Sequence, residues 1–300
     1  MRDNYLESIC IVKVKDANDI YLKIKQGFSL IRNLEISPDD VVVIKPNLCA
    51  IKSSETGATT DPLVVGGIIR YLKNEYGVSD ISIVESDGEQ VIADMAFKLL
   101  GYERLSQKLN VKLVNLSRSS FSTKIFPNNN LIKRVRIPKI LEIPNIFISV
   151  PKMKTHDTCL FTGTLKNQFG CNPYPRKSIY HGRLHDAIVD LYAAYKPNLV
   201  VVDALVAMEG MGPVNGIPVK MNSLFFGRDG VAVDYLIART MGINPNKVRY
   251  LVESKRRGLG ISKYMIVGRS MNEIQRKFSP PTNPSLLNLY GLLGNLNESL

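Results

Sequence analysis

The sequence predicts an α/β protein: a mostly parallel sheet flanked by helices, with a basic hairpin or loop inserted into it. Two observations predict this. Apolar runs rich in β-branched residues alternate with helix-period segments, the signature of βαβ units. The 300 residues, 45% of them hydrophobic, suffice for a large core.

Strands are expected at residues 10–14, 41–45, 81–85, 111–115, 146–150, 199–203, 223–226 and 265–267, each a short run of Val, Ile, Leu or Phe. The helices between them carry clear punctuation. Asp61 followed by Pro62 is an N-cap with proline in the first turn, and Gly77 closes the segment. Asp229 opens a second helix that Gly242 ends, and Pro245 starts the next segment. Residues 117–142 break the alternation: they are polar, weakly periodic and basic at Lys133, Arg134 and Arg136, and read as the insertion. Residues 1–278 are expected to form one domain. Residues 279–300, with Pro280, Pro281 and Pro284, read as a tail packed on it, with a short helix at 286–293.

Composition narrows the function classes. The apolar runs stop short of the ~20 residues that cross a bilayer, and the first 16 residues hold no apolar stretch of signal-peptide length, so a cytoplasmic protein without membrane partners is expected. The four cysteines have no C-x-x-C spacing, which gives no iron–sulfur or zinc-ribbon motif. A net charge of +12 favours an anionic partner, either a small anion or nucleic acid.

Ligands of open α/β sheets bind outside the carboxyl ends of the strands. Chemistry collects there in this chain. Lys45 and Asn47 end one strand, and a loop leads from them to Thr59, Thr60 and Asp61. Glu85 and Asp87 follow another strand, Lys152, Lys154 and His156 a third, and Asp203 ends a fourth. Thr59, Thr60 and Asp61 are equally capping residues in pattern. Gly163, Lys166 and Asn167 lie in a glycine-flanked segment without P-loop order. Its backbone amides, with Lys152, Lys154 and Lys166, are expected to make an anion cradle in which a buried lysine acts as base or nucleophile. Gly210 and Gly212 form a second glycine-rich loop over the same edge. The three histidines, His156, His181 and His185, fall within thirty residues, and imidazole suits both proton transfer and metal ligation. His156, Lys166 and His185 are therefore the candidate catalytic groups, and Glu85, Asp87, His156 and Asp203 the candidate metal ligands.

Several segments together carry a family resemblance: residues 43–47 (VIKPN), 57–62 (GATTDP), 151–156 (PKMKTH), 162–167 (TGTLKN), Asp203-Ala204 with residues 208–213 (MEGMGP), and Asp229 to Asp234. Over about residues 9 to 260 the chain resembles the archaeal and bacterial proteins called domain of unknown function 362. Many relatives bear a ferredoxin-type segment, which this chain lacks. More distantly, the order T-T-D-P, then His, then G-x-L-K-N is similar to the N-terminal domain of the nickel-pincer lactate racemases. That likeness implies a cofactor lysine at Lys166 and a ligand or base at His156 or His185. The chain departs from that pattern in having no arginine in its Thr60-Asp61-Pro62 turn.

These signals give three readings. The first is a metal- or cofactor-dependent enzyme acting on a small anionic substrate, its cofactor a divalent transition metal or a nickel-pincer-like group. The alternative is a nucleic-acid-binding protein using the basic insertion and Lys255-Arg256-Arg257. The second alternative is a redox accessory protein without its own iron–sulfur segment. Reaction, substrate and oligomeric state stay open.

Overall fold

A computed structural model describes residues 7–31, 34–142, 146–261 and 263–281. In chain order the elements begin with β1 (Glu7–Lys13), α1 (Ile20–Leu30), β2 (Val42–Pro46), α2 (Pro62–Tyr76), β3 (Ile81–Glu85), α3 (Ala93–Leu99), α4 (Tyr102–Leu109) and β4 (Lys112–Asn115). The insertion follows as β5 (Phe121–Ile125) and β6 (Arg134–Pro138). Then come β7 (Ile146–Val150), β8 (Lys152–His156), β9 (Leu160–Thr162), α5 (Thr164–Gln168), α6 (Leu184–Ala194), β10 (Leu199–Glu209), β11 (Ile217–Gly227), α7 (Gly230–Thr240), α8 (Arg249–Arg256) and β12 (Tyr264–Gly268).

The main sheet runs β12-β1-β11-β10-β7-β2-β3-β4, with β8 and β9 joined beside β10. Only β11 against β1 and β10, and β8 against β9, are antiparallel. Alternate side chains of each strand face opposite ways, so the sheet has two cores. Ile9, Val43, Val84 and Val202 pack with α5 to α8, whereas Cys10, Ile44, Ile83 and Val201 pack with α1 to α4. Asp61 caps α2 through Leu63 N at 2.8 Å and Gly77 closes it at φ +71, as the sequence predicts. Asp229 caps α7 in the same way through Ala232 N.

The insertion is a hairpin: β5 and β6 pair antiparallel as a separate two-stranded sheet. Its turn is held by Asp190 of α6, whose buried carboxylate accepts from the backbone amides of Asn130, Leu131 and Ile132. The helix expected at 286–293 lies outside the described residues.

Two expectations are corrected. No strand is expected between residues 150 and 199, yet residues 152–156 form β8, which continues β7 along β10 after Pro151 interrupts the ladder. The strand expected to stop at Asp203 continues to Glu209, and its partner begins at Ile217 rather than 223, forming a long hairpin with a bulge between Ala204 and Val206. Polar residues conceal both. Lys152 and Lys154 are buried among specific partners, and Lys220 projects to solvent along the hairpin arm.

Candidate anion-binding site

Three buried ammonium groups lie at the carboxyl edge of the sheet, and each is placed by a strand. Lys45 of β2 lies 2.7 Å from both carboxylate oxygens of Glu85 on neighbouring β3, and also donates to Pro46 O. The amides of Leu48 and Ser86 donate to the same carboxylate. Lys152 of β8 pairs with Asp203 of β10 at 2.8 Å, and Asp203 also accepts from the amides of Asp61 and Leu205. Lys154, two positions on and hence on the same face of β8, has no carboxylate partner among the described residues. Its ammonium donates to Asn47 Oδ1 (2.9 Å), Cys49 Sγ (3.0 Å) and Ala58 O (2.6 Å). Burying an ammonium is costly unless its donors are met, so these lysines are held by the fold, and the charges of Lys45 and Lys152 are spent on carboxylates.

In front of them lies a cleft of about 300 Å3, lined by Lys45, Asn47 and Cys49 from β2 and its loop and by Glu85 at the end of β3 and Ser86 just beyond it. Lys166, Asn167 and Gly170 line it from α5 and the turn beyond, Lys177 and His181 from the segment before α6, and Pro213 and Val214 from the second glycine-rich loop. Lys166 is half-buried, with its ammonium 4.4 Å from the Phe169 ring centroid. It has no hydrogen-bond acceptor or carboxylate partner among the described residues, and burial lowers its pKa. Lys177 donates to Ser86 Oγ at 2.6 Å and to Asp87 O at 2.9 Å, and burial lowers its pKa to about 8. Asn167 donates to Lys45 O and Ser149 Oγ and accepts from Asn47 Nδ2 at 3.3 Å, which fixes both carboxamides.

The glycines are explained by close approach. A Cβ on Gly163 would strike the carboxylate of Asp234, which accepts from the amides of Thr164 (2.6 Å) and Leu165 (3.0 Å) at the start of α5. A Cβ on Gly170 would lie 2.9 Å from Lys45 Nζ and 3.0 Å from Glu85 Oε1. Gly210 has φ +75, and Gly212 packs against the Thr155 backbone with no room for a side chain. The loop they belong to is tied down, because Lys52 donates to Val214 O and Asn215 Oδ1, both at 3.0 Å.

The structure brings Lys45, Asn47, Glu85, Lys166 and Asn167 to one cleft. It places Thr59, Thr60 and Asp61 behind it as stitching: Thr59 donates to Lys52 O, Thr60 links Asn47 N to Val150 O, and Asp61 caps α2. The four expected metal ligands are not gathered. Glu85 and Asp203 are closed in lysine pairs, and Asp87 accepts from Ala93 N and Asn115 Nδ2. His156 has its Nδ1 3.0 Å from Asp157 Oδ1. Among the described residues no group of three His, Cys, Asp or Glu side chains could hold a metal ion.

The two candidate catalytic histidines do not line the cleft. Burial pushes His156 down to about 4, against the opposing pull of Asp157. His185, in the first turn of α6, stacks on Tyr250 and is likewise pushed by burial to about 4, with its Nδ1 unpartnered among the described residues. Ser86 and Lys177 are among the cleft residues that lie outside the predicted site set. The position of Ser86, directly after a strand, was a usable signal, whereas Lys177 sits in an aperiodic Pro-rich stretch that gave none.

The family model described as "Domain of unknown function (DUF362)" matches residues 42–239. The thylakoid-associated protein sll1697 of Synechocystis sp. is 26% identical over 231 residues, which cover 75% of this chain and 70% of that protein. The lactate racemase apoprotein from Thermoanaerobacterium thermosaccharolyticum aligns with a TM-score of 0.48 at 12% identity, over 81% of this chain. The chain spans only 58% of that structure's length.

Proposed function

Because the chain belongs to the DUF362 family, whose description names no activity, the site must supply the reading, and we propose an enzyme that binds a small anionic substrate in the cleft above β2 and β3. The observation that carries it is Lys166: a half-buried ammonium, facing a cleft of about 300 Å3, with no carboxylate or hydrogen-bond acceptor among the described residues. Lys45 and Lys152 have neighbouring carboxylates to neutralise them, so a carboxylate or phosphate group of a ligand is the partner that Lys166 lacks. Asn47 and Asn167, each fixed by hydrogen bonds, present amides that orient it. Among the described residues no three His, Cys, Asp or Glu side chains gather at His156 to hold a metal ion.

Thermal-shift titration with inorganic phosphate and with succinate tests the reading. The wild type should be stabilised by at least one of them, and Lys166→Met should bind that anion at least 10-fold more weakly while melting normally without it. Equal shifts in both proteins, or none in the wild type with either probe, would end the assignment.

A further inference from the structure

We propose that Ser86 and Lys177 form a nucleophile–base pair for acyl transfer, acting on esters or thioesters of small acids whose own anionic group is held in the cleft. The proposal rests on the anion-site reading above and names its substrate class.

Ser86 is the first residue beyond β3, at the edge where open α/β sheets do their chemistry. Its Oγ lies 2.6 Å from Lys177 Nζ, within reach for direct proton transfer, and both residues line the cleft. The lysine is not neutralised: it has no ion pair among the described residues, and its other contact is the carbonyl of Asp87. In the resting arrangement the Ser86 hydroxyl donates to Gly170 O, so the Oγ is fixed by two partners on the cleft wall. Burial, against the opposing pull of Glu85 and helped by the neighbouring ammonium groups of Lys45 and Lys166, lowers Lys177 to about 8, so a fraction is neutral just above neutral pH and able to accept a proton.

The chemistry balances with water as the only co-reactant. Neutral Lys177 takes the hydroxyl proton as Ser86 Oγ bonds to the substrate's carbonyl carbon, and the carbonyl π pair moves onto oxygen. Lys166 meanwhile holds the substrate's own anionic group. Collapse breaks the bond to the leaving alkoxide or thiolate, which takes the proton from Lys177 and leaves an ester on Ser86. Water, deprotonated by Lys177, then releases the acid and restores Ser86.

The test treats the full-length protein with the 4-nitrophenyl monoester of succinic acid, follows nitrophenolate release from pH 6 to 10, and maps the adduct by peptide mass. A succinyl group on the Ser86 peptide is expected, with a rate that rises through about pH 8. Ser86→Ala should abolish the adduct. Ser86→Cys should restore it as a thioester. Lys177→Met should slow it on the order of 10²-fold and remove the rise near pH 8. Succinate-induced stabilisation of each variant reports that its cleft is intact. No adduct on Ser86 at any pH, or an adduct on lysine alone, in protein that succinate still stabilises overturns the pair and leaves the anion site standing. If uncharged 4-nitrophenyl acetate acylates Ser86 as fast as the succinate ester, the pair stands and the anion-site reading falls.

Discussion

The buried lysines show how the environment of a residue fixes its role. Lys45 and Glu85 are each almost fully buried, and removing one partner leaves an uncompensated charge in the interior. Glu85→Gln should therefore destabilise the fold by about 3–5 kcal/mol in chemical denaturation. The double change Lys45→Met with Glu85→Leu should recover much of that loss, since replacing both ions by apolar groups of similar volume is often nearly neutral. A loss below about 1 kcal/mol for the single change would mean that the pair is solvated. The histidines make a pH prediction. His156 and His185 keep folded-state values near 4, below the unfolded 6.5, so between these limits the unfolded chain binds protons that the native state refuses. Stability should thus be intact above pH 6.5 and fall as pH drops towards 4, each histidine adding up to about 1.4 kcal/mol per pH unit. Denaturant midpoints measured from pH 7 to 4 should show this slope, and His185→Phe, which keeps the ring on Tyr250, should flatten it. An unchanged slope in that variant would place the acid sensitivity elsewhere.

At the scale of elements, the edge of the sheet is extended by β8 and by the outer half of the β10–β11 hairpin, whose connecting loop reaches the cleft through Pro213 and Val214. Their joint is Gly212 against Thr155, reinforced by the Asp157 amide donating to Gly212 O and by Thr155 Oγ1 donating to Gly210 O. Gly212→Ala should push the loop from β8 and carry Pro213 and Val214 off the cleft. Hydrogen exchange should then quicken in residues 152–156 and 208–216 and stay unchanged in α2. Uniform protection in the variant would show that the loop can absorb a methyl group. The helix caps of α2 and α7 were legible as Asp61-Pro62, Gly77 and Asp229, because capping is chemistry between near neighbours. The strand at 152–156 was not. Its lysines look solvated in sequence, and only partners up to 107 positions away make them core.

For the molecule as a whole, the +12 charge is unevenly committed. Arg257, in the basic run 255–257, is bound to the buried carboxylate of Asp190 at 2.6 Å. Arg134 and Arg136 stand exposed on the hairpin, with the Arg136 guanidinium 4.9 Å from the ring centroid of Phe121. A solvated surface of this kind should retain neither RNA nor DNA in a gel above about 100 mM salt, whereas phosphate neutralisation by several such residues would give a steep fall of affinity with salt. Retention that follows that slope and disappears in Arg134→Glu/Arg136→Glu would favour the nucleic-acid reading. Among the described residues no helix is long and apolar enough to cross a membrane.

The sequence by itself determined the α/β class, the apolar strands and the helix caps, and the fact that charged and imidazole groups follow those strands in the chain, because hydrophobic period and capping are written in neighbouring residues. The tertiary structure alone decided which of those groups are spent on each other. Lys45 and Lys152 find carboxylates 40 and 51 positions away, His156 and His185 do not line the cleft, and Lys166 and Lys177 line it without a carboxylate partner among the described residues. Desolvation obliges a buried charge to find a partner, and which partner it finds is set by the stacking of strands far apart in the chain.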